Sequence, residues 1–253
     1  MSDPIAALRA SHDRLEALFA ELTPEEATKP AYPSEWSVAQ VFSHLGSGAE
    51  ITALAFDAGL NGAPAPGRDA NPPIWDRWNA KDPWSQVTDG VATDRGLVER
   101  FEALGEDQRA RLRFGSFMGE VDVDALARLR LSEHAVHTWD IAVVRDPSAT
   151  IIAEAVPFVL DALGRVAAFS GKSPNTGAVI RVVTTDPERV YTLTLAEKVS
   201  LEPGDGTPAT ASLTLPAEAL IRLVYGRLDP AHTPPLTAEG VDLDELRNTF
   251  QGF

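Results

Sequence analysis

A chain of 253 residues, 44% hydrophobic and 23% charged, is long enough for a substantial core in one large domain or two smaller ones, and its composition excludes wholesale disorder. Its 22 basic and 37 acidic residues leave a net charge of −15, so neither nucleic acid nor a membrane surface is expected as a partner, although a local basic pocket could still receive a small anion. There is no cysteine, which excludes a disulfide scaffold, a thiolate metal site and a cysteine nucleophile; any metal must be held by histidine and carboxylate, and any thiol chemistry needs a thiol from outside.

The first stretch, "MSDPIAALRASHDRL", has early charges and no long apolar run. It reads as neither signal peptide nor membrane anchor, and the cytoplasm is the expected compartment. A first helix is expected over residues 3–22, with Asp3 as cap, Pro4 in its first turn and an apolar stripe of Ile5, Leu8, Leu15, Leu18, Phe19 and Leu22. His12 lies within that stripe, where a histidine is most often a hydrogen-bonded core residue. After a Pro-rich connection, "SVAQ" forms a capping box of Ser37 and Gln40 that starts a second helix running to about Leu60. Residues 61–84, rich in Gly, Pro, Asn and Trp, are expected to form a long loop, a lid or cavity wall carrying Trp75, Trp78 and Trp84. A third helix over 85–104 carries Val87, Val91, Val98, Phe101 and Leu104. The glycine-interrupted "RFGSFMGEVDV" precedes a fourth helix over 123–145.

Four amphipathic helices with one long crossover predict an antiparallel four-helix bundle. Beyond "RDPSA" the character changes. A helix over 151–169 is followed by the alternating runs "AVIRVVTT", "VYTLTLAE" and "ATASLTL", which predict an antiparallel sheet, and then by helical "PAEALIRLVYGRL" and "VDLDELRNTF". The expected architecture is an α+β two-domain chain: a helical bundle over 1–147 and a small α+β domain over 148–253.

The fourth helix poses a physical question in "LSEHAVHTWDIAVV". At about 100° per residue, Leu126, Leu129, Val136 and Val144 fall within about 60° of Glu133, and His137 and Asp140 within about 40°. The apolar stripe and the ionisable residues therefore coincide, and buried charges need partners. Glu133 and His137 stand at i,i+4, one turn apart on one side of the helix. On the second helix His44 shares a face with Val41, Ile51 and Ala55, and Gly48 leaves room beside it. His44, Glu133 and His137 together make a two-histidine, one-glutamate set that matches open catalytic zinc sites, with a position left for water or substrate. Asp140 is then an orienting carboxylate or an acid/base group. His134 lies about 100° from Glu133 and is not expected among the ligands. The bland alternative is a Glu–His hydrogen bond that satisfies both groups without metal.

"EWSVAQVFSHL" resembles the W-[ST]-V-x-x-[VL]-x-x-H-L signature of the DinB-like four-helix fold, and "LSEHAVHTWDIA" resembles the E-x-x-x-H-x-x-D-[LI] motif of the mycothiol-dependent maleylpyruvate isomerase family. The motif order and the α+β tail ending in "LIRLVYGRL" fit the same family over nearly the whole chain. The resemblance implies a metal-binding DinB-like bundle followed by an α+β domain, with zinc or another divalent metal on His44, Glu133 and His137. It implies Asp140 beside the metal in catalysis, and mycothiol as thiol cosubstrate. Zinc lowers the pKa of a bound thiol, so a thiolate exists at neutral pH. Addition to a cis alkene diacid, rotation and expulsion give the trans isomer and return the thiol; attack on another electrophile consumes it, as an S-transferase does. An isomerase needs cations for two substrate carboxylates. Arg227 in "YGRL" is the first candidate, by a loose match to the family's functional arginine, with Arg68 and Arg77 behind it. Trp36 and Trp139, inside the motifs, are expected to brace the second helix against the fourth.

The expected partners are thus a small-molecule thiol and an electrophilic substrate, on a monomer or homodimer, with S-transfer slightly preferred over isomerisation. The alternatives are a metal-dependent hydrolase that uses water in the open position and a non-enzymatic ligand-binding bundle.

Overall fold

The computed structural model describes residues 3–32, 35–116, 119–204 and 206–252. The chain forms two compact units, 1–146 and 147–253.

In the first unit the elements run α1 (Pro4–Ala20), α2 (Pro24–Ala27), α3 (Val38–Leu60), α4 (Asn71–Asn79), α5 (Pro83–Glu102), α6 (Glu106–Arg111), β1 (Arg113–Ser116), β2 (Gly119–Asp122) and α7 (Val123–Arg145). The long helices begin where the cap residues stand. Asp3 accepts from the Ile5 N–H at 3.0 Å, with Pro4 in the first turn of α1. Asp122 accepts from the Ala125 N–H at 2.8 Å at the start of α7. Helices α3 and α5 pack together, as do α1 and α7, α1 and α5, and α3 and α7. Leu15, Val38, Val41, Phe42, Leu45, Val87, Val91 and Ile141 form one buried cluster among these four helices.

Glycines let α3 and α5 approach closely. A Cβ at Gly90 would lie 2.6 Å from the Phe42 carbonyl oxygen, and one at Gly46 would lie 2.8 Å from the Gly90 Cα and 2.3 Å from the Trp78 ring, so neither position accepts a side chain without movement.

The expected loop over 61–84 is corrected by α4 and a short 3-10 turn at Arg68–Ala70. Pro72 and Pro73 in this stretch read as breakers, yet they sit in the first turn of α4, where a missing N–H costs nothing. Trp78 anchors the helix: its ring is buried and its indole N–H donates to Glu50 at 2.8 Å. The "RFGSFMGEVDV" stretch is an antiparallel pair, β1 with β2, set by Phe114 opposite Val121. Phe117 and Met118 lie outside the described residues.

The second unit runs α8 (Val156–Ser170), β3 (Ala178–Thr185), β4 (Arg189–Leu195), β5 (Val199–Pro203), β6 (Ala211–Pro216), α9 (Ala217–Val224), β7 (Thr237–Glu239) and α10 (Leu243–Thr249). The strands form one five-stranded sheet in the order β5-β4-β3-β6-β7. Alternate residues such as Tyr191, Leu193 and Leu195 are buried, and α8 packs against β5 and α9. The expectation of an antiparallel sheet is corrected: β3 and β6 pair in parallel, so the sheet is mixed. Alternation reports which face a side chain takes but is blind to strand direction. No helix among the described residues is long and apolar enough to cross a membrane.

Candidate metal centre

Two helices set the geometry. Ser37 accepts from the Gln40 N–H at 3.2 Å while Gln40 Oε1 accepts from the Ser37 N–H at 2.8 Å, which fixes the start of α3 and places His44 two turns in. Helix α7, packed against α3, carries Glu133 and His137 one turn apart.

The structure brings His44, Glu133 and His137 together. His44 Nε2 lies 3.6 Å and His137 Nε2 3.7 Å from Glu133 Oε2, and one ligand atom from each residue lies within 4.8 Å of the others. The two imidazoles meet edge to face with centroids 4.5 Å apart. His137 Nδ1 and Asp140 Oδ2 are 2.8 Å apart, and the Asp140 carboxylate is fully buried. Asp140 thus directs the Nδ1–H tautomer of His137 and leaves Nε2 with its lone pair toward Glu133 and His44, the arrangement a metal-ligating imidazole needs. Trp36, beside the Ser37 cap, lies 5.2 Å from the His44 ring and stacks at 6.0 Å on that of His137, whereas Trp139 packs edge-on against Tyr32 at 5.1 Å.

The donor set fits a divalent metal. With bonds of about 2.0–2.1 Å, tetrahedral ligand atoms stand about 3.3–3.5 Å apart, close to the spacings seen here. Burial pushes the His44 imidazole pKa down, only partly opposed by the Glu133 carboxylate, so the ring is neutral and able to donate. Burial opposes ionisation of Glu133, but the nearby His44 and His137 imidazoles and the Arg130 guanidinium prevail and hold the carboxyl at about 2. One expectation is corrected: Glu133 is not buried, since 50% of its side chain is exposed, as is 36% of that of His44 against 12% of that of His137. A long acid at the edge of an apolar stripe can turn outward, which an angular projection cannot register.

A second cluster lies on another face of α7. His12 Nδ1 and His134 Nε2 both hydrogen-bond Asp94 Oδ2, at 2.7 and 2.8 Å, and all three residues are fully buried. His12 Nε2 pairs with Glu16 at 3.0 Å, and His134 Nδ1 with the Ser11 hydroxyl at 2.7 Å. Arg130 donates to Asp94 Oδ1 at 2.7 Å. Desolvation would raise the Asp94 pKa, but the charges of His134 and Arg130 and the histidine hydrogen bonds hold it well below the carboxylate range. This set also has its ligand atoms within 4.8 Å of one another, but protons already fill the gaps between them.

Asp94 and Arg130 were not singled out from the sequence, though a signal existed. Asp94 continues the Val87, Val91, Val98 stripe of α5, and Arg130 stands at i,i+4 between buried Leu126 and His134. The expected room beside His44 at Gly48 is also corrected: a Cβ there would lie 2.9 Å from Arg130 Nη1. In the second unit Arg227 is buried and donates to the Tyr225 carbonyl at 2.6 Å. Arg68 is exposed in its 3-10 turn, and Arg77 pairs with Glu50 at the surface. Among the loop tryptophans, Trp84 packs on the core cluster beside Phe19 and Trp75 is exposed.

The family model for the mycothiol maleylpyruvate isomerase N-terminal domain matches residues 8–142, more than half of the chain, with all of α3 and every residue of the triad inside the match. The chain belongs to the mycothiol maleylpyruvate isomerase family, a family of enzymes. It is similar in fold to the crystal structure of the mycothiol-dependent maleylpyruvate isomerase, with a TM-score of 0.68 at 12% identity over 94% of this chain and 93% of that one. A histidine-to-alanine mutant of that isomerase gives a TM-score of 0.67 at the same identity and coverage. No curated protein sequence matches the chain.

Proposed function

We propose that this enzyme is a zinc-dependent isomerase that uses a small thiol, mycothiol, to convert a small cis-unsaturated diacid such as maleylpyruvate into its trans form. The observation that supports this most directly is the convergence of His44 Nε2, Glu133 Oε2 and His137 Nε2, with Asp140 on the far nitrogen of His137. A bound zinc ion would lower the pKa of a thiol brought to it, so that the nucleophile is available at neutral pH without a cysteine in the chain. His44 and His137 would each offer Nε2 to the metal and Glu133 an oxygen. Asp140 orients His137 and acts in catalysis through it. Trp36 packs beside both imidazoles. Arg227 is assigned to a substrate carboxylate. The first unit is read as a DinB-type four-helix bundle that holds the metal, the second as an α+β domain, and the protein as cytoplasmic. S-transfer to another small electrophile uses the same thiol and the same residues and is the second reading.

The test uses purified full-length protein, loaded with zinc or metal-free, with and without mycothiol, on maleylpyruvate. The proposal expects the trans product only when zinc and thiol are both present. Conversion of an ester or amide without thiol would support a hydrolase instead, and a protein that retains no zinc would defeat the metal reading.

A further inference from the structure

Arg130 has more donors than partners. Only 4% of its side chain is exposed. One terminal nitrogen, Nη2, donates to the Leu45 carbonyl and to Asp94 Oδ1, both at 2.7 Å. Nε is buried with no partner, and Nη1 has none among the described residues. Glu133, three residues on, does not pair with it, because its carboxylate turns to His44 and His137.

The unpartnered tip has a defined place. Nη1 lies against Gly48, where a Cβ would come within 2.9 Å of it, and Gly48 itself is only partly buried. Gly48 stands one turn beyond His44 on α3, and Arg130 stands three residues, close to one turn, before Glu133 on α7. The tip therefore occupies the level next to the triad in the same seam between α3 and α7. One helical turn is about 5.4 Å, a span suited to a small acid whose reactive carbon sits at the triad and whose carboxylate sits on the arginine.

We infer that Arg130 Nη1, unpartnered beside the half-buried Gly48, forms a carboxylate subsite that takes one end of the anionic substrate. A guanidinium with unmade hydrogen bonds, already desolvated, binds a carboxylate through charge-assisted bonds with little further loss of hydration. The inference rests on the diacid reading above, whose substrate carries a carboxylate for this arginine.

The probe is maleate, titrated into full-length protein in zinc-loaded and metal-free form. Gly48→Ala keeps the charge and sets a methyl group 2.9 Å from Nη1, so that the tip must shift from its place beside Gly48; Arg130→Lys keeps the charge and removes the fork. Zinc content and thermal unfolding are measured for each. The expected result is maleate binding by both forms of the wild type, weakened about tenfold or more in both variants with zinc content unchanged. Wild-type affinity in Gly48→Ala, binding that vanishes when zinc is removed, or no binding of maleate at all would each overturn the subsite. Loss of zinc from the wild type would instead count against the metal reading alone, since the arginine subsite is read in metal-free protein as well.

Discussion

Each of the two clusters on α7 has two histidines and one carboxylate, yet they present opposite chemistry. In one, His12 and His134 close onto Asp94 at 2.7 and 2.8 Å, sealed from solvent. In the other, His44 and His137 stand 3.6 and 3.7 Å from a half-exposed Glu133. The short set is a hydrogen-bond network, with a proton in every gap and hydroxyls or a second acid on the outer nitrogens. The long set leaves gaps the size of a tetrahedral metal's edges. Residue types are the same; spacing and burial decide which set stores a network and which offers ligands. The sealed network also has a use: it joins α1 through His12, α5 through Asp94 and α7 through His134 and Arg130, and Arg130 reaches α3 at the Leu45 carbonyl, one residue beyond His44.

The largest expected effect separates the clusters outright. His44→Ala, Glu133→Ala and His137→Ala should each abolish zinc binding, measured by elemental analysis, whereas His12→Ala should keep one zinc. Zinc retained in all three triad variants would erase the distinction. Next, Asp94→Asn leaves Arg130 as a buried cation without a counter-charge and should cost about 3–5 kcal/mol in urea unfolding. The sign with pH follows from the directions of the shifts. Asp94 is held below its unfolded value, so its stabilisation is present above about pH 4 and is lost as pH falls through the folded value. In His12 the Asp94 and Glu16 interactions outweigh desolvation and raise the pKa, so its share is complete below about pH 6.5 and is lost as pH rises through the folded value. The gap between wild type and Asp94→Asn should therefore narrow in acid; a gap independent of pH would place the stabilisation elsewhere. Asp140→Asn should still bind zinc, about 10–100-fold more weakly, with slower turnover, because His137 loses its orienting carboxylate. Unchanged kinetics would remove Asp140 from the mechanism. The smallest effect is Ser37→Ala, expected to cost about 1 kcal/mol through the lost cap of α3, with no change in zinc stoichiometry.

The helices that carry the triad were legible because their signals are local. "SVAQ" marks the start of α3 and Asp122 that of α7, and i,i+4 spacing alone puts Glu133 beside His137. What escaped depends on contacts distant in sequence. The parallel pairing of β3 with β6 leaves no trace in alternation, and β5 and β7 are short edge strands with weak patterns. The α4 helix was hidden by prolines that a first turn tolerates, and it is held by the Trp78–Glu50 bond to another element. The sealed network was hardest to read, since Asp94 and Arg130 look like surface charges until α5 and α7 are packed. Even His134, one residue from Glu133, belongs to that network rather than to the triad, as its angular offset implied.

On the proposed function, the open cluster receives the metal and the sealed one does not. Anomalous diffraction at the zinc edge from crystals of zinc-loaded full-length protein tests it most directly. One peak is expected within bonding distance of His44 Nε2, Glu133 and His137 Nε2, with His12, Asp94 and His134 still joined by hydrogen bonds. A peak between those latter three, or none beside His44, would contradict it.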